Sequence, residues 1–179
     1  MISRLIISIL GIMSLLMLQV SFISAWRWPI SSLNLILLVV IFLTVIVDYE
    51  HGLTWAFALG LLSELFNSLP FGITSFGLVL TAILINFLFN NFFTNRSLYS
   101  LLGLGVIGTL FYLFFSRVIF YAVSLVGENV NFLTGGQGGP GFVQQLIWQL
   151  LFNVIALAII FYIFNVVSSR LKSVFLSSS

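Results

Sequence analysis

Charged side chains are so rare in this chain that long stretches carry none. The run from Leu5 to Trp26 contains no Asp, Glu, Lys, Arg or His, and neither does the run 129–169. Of the 179 residues, 61% are apolar and 6% are charged. A water-soluble domain of this size needs a polar surface around its core, and this composition cannot supply one. The sequence therefore predicts a protein whose solvent is the lipid bilayer.

Turn residues and the few charges divide the chain into six apolar segments. A helix needs about 20 apolar residues to cross the hydrocarbon of a bilayer, so 179 residues accommodate six spans only if most connections are short. The breaks fall at Trp26-Arg-Trp-Pro29, the charged turn 48–51, the turn 70–72, Asn95-Arg96 and the Gly-rich loop 127–141. Pro29 suits the first turn of the second helix. The prediction is a single all-α transmembrane domain over 1–179, a bundle of six transmembrane helices at 5–25, 29–47, 52–69, 71–93, 98–126 and 142–167.

The first apolar segment also has the features of a cleavable signal peptide, because a single Arg precedes it. Its uncharged run is longer than the core of an ordinary signal peptide. Ile23 and Ala25 do not form the small-x-small pattern of a cleavage site. We therefore predict a retained first helix.

The distribution of Lys and Arg predicts the orientation in the membrane, because the cytoplasmic flanks of spans hold the excess. With six spans both termini lie on one side, which carries Arg4, Arg96, Arg170 and Lys172. The other side carries Arg27 and, if its side chain reaches back to the interface, Arg117. Both termini are therefore predicted to be cytoplasmic, and the Gly-rich loop is predicted to face outward.

Glu64 lies inside a predicted span, where a charged side chain costs about 2.5 to 3.5 kcal/mol at the bilayer centre. Three small residues precede it at four-residue steps on one helix face, namely Gly52, Ala56 and Gly60. Ser63 and Asn67 are its polar neighbours. Small residues at this spacing let another helix approach closely, and the carboxylate can then bind a donor across the contact. Glu64 could serve a proton or substrate site. The simpler alternative is a packed seam in which Glu64 is protonated, hydrated or paired with Arg117.

Helix six carries three amide side chains at successive four-residue steps, Gln145, Gln149 and Asn153. Such a stripe occupies one helix face and, inside a membrane, must face protein. It could line a ligand cavity, bond to other helices of the chain or bind a partner membrane protein. Asn86 and Asn90 repeat this spacing in helix four, and the same three interpretations apply.

No motif for catalysis or cofactor binding fits its context. Three glycines in the run 103–108 match G-x-G-x-x-G, but they lie inside an apolar span, so helix packing explains them better than dinucleotide binding. The turn 48–51 is interpreted as solvated rather than metal-binding, because the chain has one His and no Cys. No Ser or Thr has a recognisable His base. We predict a non-enzymatic protein without cofactor or metal, and the net charge of +2 is too small to indicate nucleic acid.

The run Gly52-Leu-Thr-Trp-Ala-Phe-Ala-Leu-Gly60-Leu-Leu-Ser-Glu64, followed by Ser68-Leu-Pro70-Phe71-Gly72, resembles the signature of the rod-shape-determining protein family MreD. In that family a Gly-rich helix ends in an acidic residue and is followed by a Pro-small/apolar-Gly turn. Leu16-Met-Leu-Gln19 resembles the Gln-containing first helix of the family. Taken alone, Gln19 is interpreted as a packing contact. The family has Pro-Asp at the start of the second span and Asp at the acidic position, where this chain has Ser32-Leu-Asn34 and Glu64.

The resemblance implies a multi-pass protein of the bacterial inner membrane, a non-enzymatic scaffold of the cell-elongation machinery that supports rod shape and peptidoglycan synthesis. Its implied partners are the lipid bilayer and other membrane proteins of the elongation complex, MreC in particular. Homo-oligomerisation is a further expectation.

MreD is similar in fold to the substrate-binding components of energy-coupling-factor vitamin transporters, which makes a substrate-capture subunit the alternative function. Such subunits often dock their transport partner through a small-xxx-small pair in the first helix. The corresponding stretch here, Ser14-Leu-Leu-Met-Leu18, is not such a pair. An intramembrane protease or lipid transferase is disfavoured for want of catalytic groups. The sequence therefore favours the scaffold.

Overall fold

The computed structural model describes residues 2–66, 72–93, 97–126 and 141–176. Every regular element in these residues is a helix, which confirms the all-α prediction for that part of the chain. Arg96 and the Gly-rich loop up to residue 140 lie outside it. The helices are α1 (Ile2–Met17, continued by a π-helical turn at Leu18–Ile23), α2 (Leu35–Phe42, continued by a π-helical turn at Leu43–Val47), α3 (Tyr49–Glu64), α4 (Ile73–Phe92), α5 (Leu98–Val126) and α6 (Phe142–Leu176), with a 3₁₀ turn at Ile30–Ser32 between α1 and α2.

The short helix α2 lies at the centre of the bundle. Leu37, Leu38, Val40, Ile41 and, in the turn that follows, Val45 are completely buried. α2 contacts α1, α3, α4, α5 and α6, which follow one another around it in that order. A helix that is apolar on every side can lie either against lipid or at the centre of a protein, and the complete burial of these side chains places α2 at the centre. The apolar run Leu35–Phe42 is therefore the core around which the other five helices pack.

The second helix begins at Leu35 and not at Pro29, so the predicted start was wrong. The Asn34 side chain accepts a hydrogen bond of 3.0 Å from the Leu37 N–H and thereby caps the first turn of α2. Pro29 instead precedes the 3₁₀ turn, where its carbonyl accepts a hydrogen bond from the Ser32 hydroxyl at 2.6 Å. The helix starts where a side-chain oxygen can satisfy its free N–H groups, which Pro29 cannot do.

The third helix runs from Tyr49 to Glu64 rather than over 52–69. The Asp48 carboxylate accepts a hydrogen bond of 2.8 Å from the Tyr49 N–H at the start of the helix. The residues predicted to form a charged turn therefore form the first turn of α3. An acidic residue such as Glu50 is compatible with that position because the N-terminus of a helix carries partial positive charge.

The remaining helices lie close to their predicted positions. α5 has the predicted bounds, α4 lies within 71–93, and α1 with its π-helical turn covers 2–23 instead of 5–25. α6 begins at 142 as predicted but continues to Leu176 rather than ending at 167. Lys and Arg are good helix formers, so the basic tail ends the apolar stretch without ending the helix.

Three stretches of the described helices are long and apolar enough to cross a membrane: Ile73–Phe92, Leu98–Ile119 and Val143–Val166. The stretches Ser8–Ile23 and Leu35–Val47 are apolar but shorter. A span of 20 residues is about 30 Å long, which matches the hydrocarbon thickness of a bilayer.

α6 shows how the bundle distributes polar and apolar side chains. Its outward face carries five exposed apolar side chains spaced four residues apart, at Ile147, Leu151, Ile155, Ile159 and Ile163. Its inward face carries buried Gln149, Asn153 and Leu157. Polar groups inside and apolar groups outside are the arrangement expected of a helix whose outer surface contacts lipid.

Candidate functional site: a helix seam and a buried polar cluster

The alternating direction of the helices brings polar side chains from all six to one end of the bundle. This end comprises the ends of α1 and α3, the starts of α2 and α4, the N-terminal part of α6 and the middle of α5. The residues that meet there, called the polar cluster below, are Gln19, Asn34, Glu64, Ser75, Thr109, Tyr112 and Asn153.

Glu64 is the acidic member of the polar cluster and is only 2% exposed. One carboxylate oxygen, Oε2, accepts a hydrogen bond of 2.8 Å from the Gly72 N–H. The other, Oε1, accepts bonds from the Ser75 N–H at 2.9 Å and the Ser75 hydroxyl at 3.3 Å. These N–H groups belong to the start of α4, where they have no partner within the helix. The last residue of α3 therefore caps the first turn of α4.

Two features of α4 favour a carboxylate at this position. The N-terminus of a helix carries partial positive charge, which stabilises an anion placed against it. Gly72 has a φ of 98°, a left-handed conformation that glycine adopts readily and other residues do not. In this conformation the Gly72 N–H donates its hydrogen bond to Glu64 at the end of α3. The cap therefore depends on both the acid and the glycine.

The sequence analysis predicts a donor across the helix contact for Glu64, but not that the donors are the N–H groups at the start of the next helix. Arg117, which the sequence offered as an ion-pair partner, donates a hydrogen bond of 3.0 Å to Gln145 Oε1. Glu64 is bonded instead to the backbone of the next helix. Asn67, Pro70 and Phe71, the other residues of the predicted motif, lie outside the described residues.

The small residues that precede Glu64 form a seam within the chain. Gly52, Ala56 and Gly60 are all buried. A Cβ atom at Gly60 would collide with the Cα of Ser75 and lie 2.8 Å from its Cβ. A Cβ atom at Gly52 would collide with the Thr44 hydroxyl and lie 2.9 Å from the Thr44 Cα. The seam is therefore the surface on which α3 packs against α4 and against the turn that ends α2.

Asn153 is the member of the amide stripe that joins three helices. Its Oδ1 accepts a hydrogen bond of 3.2 Å from the Asn34 N–H at the start of α2. Its Nδ2 donates one of 3.2 Å to the Thr109 hydroxyl, which in turn donates to the Gly105 carbonyl at 2.8 Å. The side chain is 1% exposed, so the amide bonds to its own chain rather than to a partner. Of the other two amides, Gln149 is buried and Gln145 binds Arg117.

Gln19 has a larger role than the packing contact that the sequence suggests. Its Oε1 accepts a hydrogen bond of 2.8 Å from the Leu35 N–H, and its Nε2 donates one of 3.2 Å to the Leu33 carbonyl. Together with Asn153, it binds the backbone of residues 33–35 at the start of α2. A sequence signal for this site existed in Asn34, a strong N-cap residue directly before an apolar run.

Two glycines of the run 103–108, Gly105 and Gly108, lie at close helix contacts, in agreement with the helix-packing interpretation. A Cβ atom at Gly105 would collide with the Leu157 side chain of α6. A Cβ atom at Gly108 would lie 2.9 Å from Ile41 Cδ1 of α2 and 3.1 Å from Ile85 Cδ1 of α4. These glycines allow α5 to lie close to three other helices at once.

The described residues contain no group of three or more His, Cys, Asp or Glu side chains that could hold a metal ion. At the start of α3, the Nδ1 atom of His51 lies 3.9 Å from the Oδ2 atom of Asp48, and both side chains are exposed. Fold and site together define an all-helical protein with three helices able to cross a membrane and a polar cluster buried at one end. No family model, curated protein or solved structure matches the chain.

Proposed function

We propose that all six helices cross the inner membrane of a bacterium and that both termini are cytoplasmic. The long apolar helices α4, α5 and α6 supply three spans. α2 is shorter than the bilayer but is enclosed by the other helices, so its ends need not reach the membrane surfaces. In this orientation the polar cluster lies at the outer end of the bundle.

The number of spans predicts on which sides the two ends of the chain lie. Six spans place both ends on the same side, and three spans place them on opposite sides. We expect a reporter that is active only in the cytoplasm to be active when fused to either end of this chain. A reporter active at one end and inactive at the other would contradict the six-span proposal.

We propose that the protein is a non-enzymatic scaffold of the cell-elongation machinery, as its resemblance to MreD implies. The observation that carries the proposal is the Glu64 cap. The residues that resemble the family signature hold α3 against α4: Gly60 allows the two backbones to meet, and Glu64 binds Gly72 and Ser75. Both carboxylate oxygens are engaged in this contact, so the motif stabilises one arrangement of helices, which a scaffold requires.

The other polar contacts support the same proposal. Asn153 and Gln19 bind the backbone at the entry to α2, and Thr109 joins them through Asn153. The outward faces of the helices remain apolar and are available to lipid and to the helices of partner proteins. MreC is the partner that the resemblance implies, together with the peptidoglycan synthases of the elongation complex.

Deleting the gene in the organism that encodes it tests this function. We expect rod-shaped cells to become round, and we expect MreC to copurify with a tagged copy extracted from native membranes. Restoring the wild-type chain serves as the control and should return the rod shape. Cells that stay rod-shaped, together with purified protein that holds a stoichiometric vitamin, would contradict the scaffold and support a substrate-capture subunit.

A further inference from the structure

Two amides lie on the outward side of α4, away from the polar cluster. Asn90 is exposed and Asn86 is half-buried, and Asn90 Nδ2 donates a hydrogen bond of 3.2 Å to Asn86 Oδ1. Their neighbours on the same side are apolar, with Ile83 44% and Phe87 59% exposed. An apolar surface therefore surrounds a pair of polar groups.

The position of Asn86 along α4 places it inside the hydrocarbon. α4 has 20 residues, about 30 Å in length, which matches the thickness of the hydrocarbon. Asn86 lies six residues before Phe92, so it is about 9 Å from the end of the helix. Lipid tails at this depth neither donate nor accept hydrogen bonds.

The bond between the two amides leaves most of their hydrogen-bonding groups unused. Each Asn side chain has one carbonyl oxygen and two N–H groups. The bond uses one N–H of Asn90 and one lone pair of Asn86, and neither amide has another hydrogen-bond partner among the residues that the structure describes. Polar groups left unpaired in hydrocarbon are unfavourable, and in membrane proteins they are commonly paired across helix contacts.

We propose that this side of α4 binds the same surface of a second copy of the chain, an inference that rests on the proposed insertion of α4 in the membrane. The amide surface is self-complementary, because a two-fold axis places the free N–H groups of one pair opposite the free oxygens of the other. Ile83 and Phe87 then pack around the amides and exclude lipid from them.

Cysteine cross-linking in native membranes tests the pairing, because the chain contains no cysteine of its own. We expect Phe87→Cys to give a disulfide-linked dimer on mild oxidation with copper phenanthroline. Ile155→Cys, on the exposed face of α6, is the matched control and should remain monomeric.

The contribution of the amides is tested in the Phe87→Cys background. Adding Asn86→Leu and Asn90→Leu should lower the cross-linked fraction about tenfold at limiting protein, as expected for the loss of one interhelical hydrogen bond or two. Asn91→Leu, an exposed neighbour outside the bonded pair, should leave the fraction unchanged.

A monomeric Phe87→Cys variant, a cross-link to a protein of different mass, or an unchanged fraction after the double substitution would each overturn the pairing. Membrane fractionation of the same samples and the shape of the cells that carry them report on the proposed function separately. If the dimer is lost but the cells stay rod-shaped, the pairing through α4 is wrong and the scaffold proposal stands. If the dimer forms but deletion of the gene does not change cell shape, the pairing stands and the scaffold proposal is wrong.

Discussion

A Glu64→Lys variant is expected to accumulate no folded protein. Glu64 is 2% exposed, and its carboxylate faces the N–H groups of Gly72 and Ser75 at the positive end of α4. An ammonium group at this position would place N–H donors against N–H donors and a cation against the helix N-terminus. A buried, uncompensated charge costs about 3 to 5 kcal/mol, which is a large part of a total stability of about 5 to 15 kcal/mol. Size-exclusion chromatography in mild detergent should show aggregated or degraded protein.

The milder Glu64→Gln variant should fold but unfold more easily. Its carbonyl oxygen can still bind the Ser75 N–H, whereas its NH₂ group faces the Gly72 N–H. The lost bond to a charged acceptor and the unpaired donor should cost about 1 to 3 kcal/mol. Thermal unfolding should therefore show a lower midpoint. Glu50→Gln, a matched change at an exposed site, should lower the midpoint less, because it loses only the favourable interaction with the N-terminus of α3, about 0.3 to 1 kcal/mol. A folded, equally stable Glu64→Gln protein that failed to maintain cell shape would show that Glu64 acts directly in function.

The positions of the helices could be predicted from the sequence, but the place of α2 at the centre of the bundle could not. In a soluble protein the polar side of a helix marks its outer face. In a membrane the outer face is as apolar as the core, so this contrast disappears. The run Leu35–Phe42 and the outward face of α6 are both apolar, although one is enclosed by helices and the other is exposed.

Charges and prolines were less reliable guides to helix ends than to breaks between spans. Pro29 lies between helices, and the charged residues 48–51 lie at the start of a helix. The first residues of α2 and α3, however, are set by the N-terminal caps that Asn34 and Asp48 make. Both caps are short-range features that the sequence contains. Giving them precedence would have placed the two helix starts correctly.

Glu64 and Asn153 of the candidate site could be selected from the sequence, whereas their bonds could not. Three other members of the polar cluster, Ser75, Thr109 and Tyr112, were not predicted from the sequence. Glu64 and Asn153 were recognised because polar groups in an apolar span need partners. Their partners are backbone N–H groups of Gly72, Ser75 and Asn34, and a backbone group leaves no trace in the sequence. The role of Gln19 could not be predicted for the same reason, since both of its bonds go to the backbone beside α2.

Gly60→Ala should disrupt the seam more than its single methyl group suggests. The added Cβ would collide with the Ser75 Cα and lie 3.0 Å from the Ser75 nitrogen, so both sides of the contact are backbone and neither can turn away. The two helices must separate, at a cost of about 1 to 3 kcal/mol for an overpacked contact. Separation also moves Ser75 away from Glu64, one turn further along α3, and so weakens the cap.

The matched control is Gly103→Ala in α5, where the added Cβ would lie 3.6 Å from the nearest Phe93 atom, an ordinary contact. Since alanine favours a helix by up to about 1 kcal/mol over glycine, this variant should unfold at the wild-type temperature or above. Gly60→Ala should unfold well below it and should retain less MreC on purification. Because Gly60 and Glu64 act on the same contact, the double variant Gly60→Ala, Glu64→Gln should lose less stability than the sum of the two single losses. Equal unfolding temperatures for the two alanine variants would show that α3 and α4 do not meet at Gly60, and the seam would then have to be placed elsewhere.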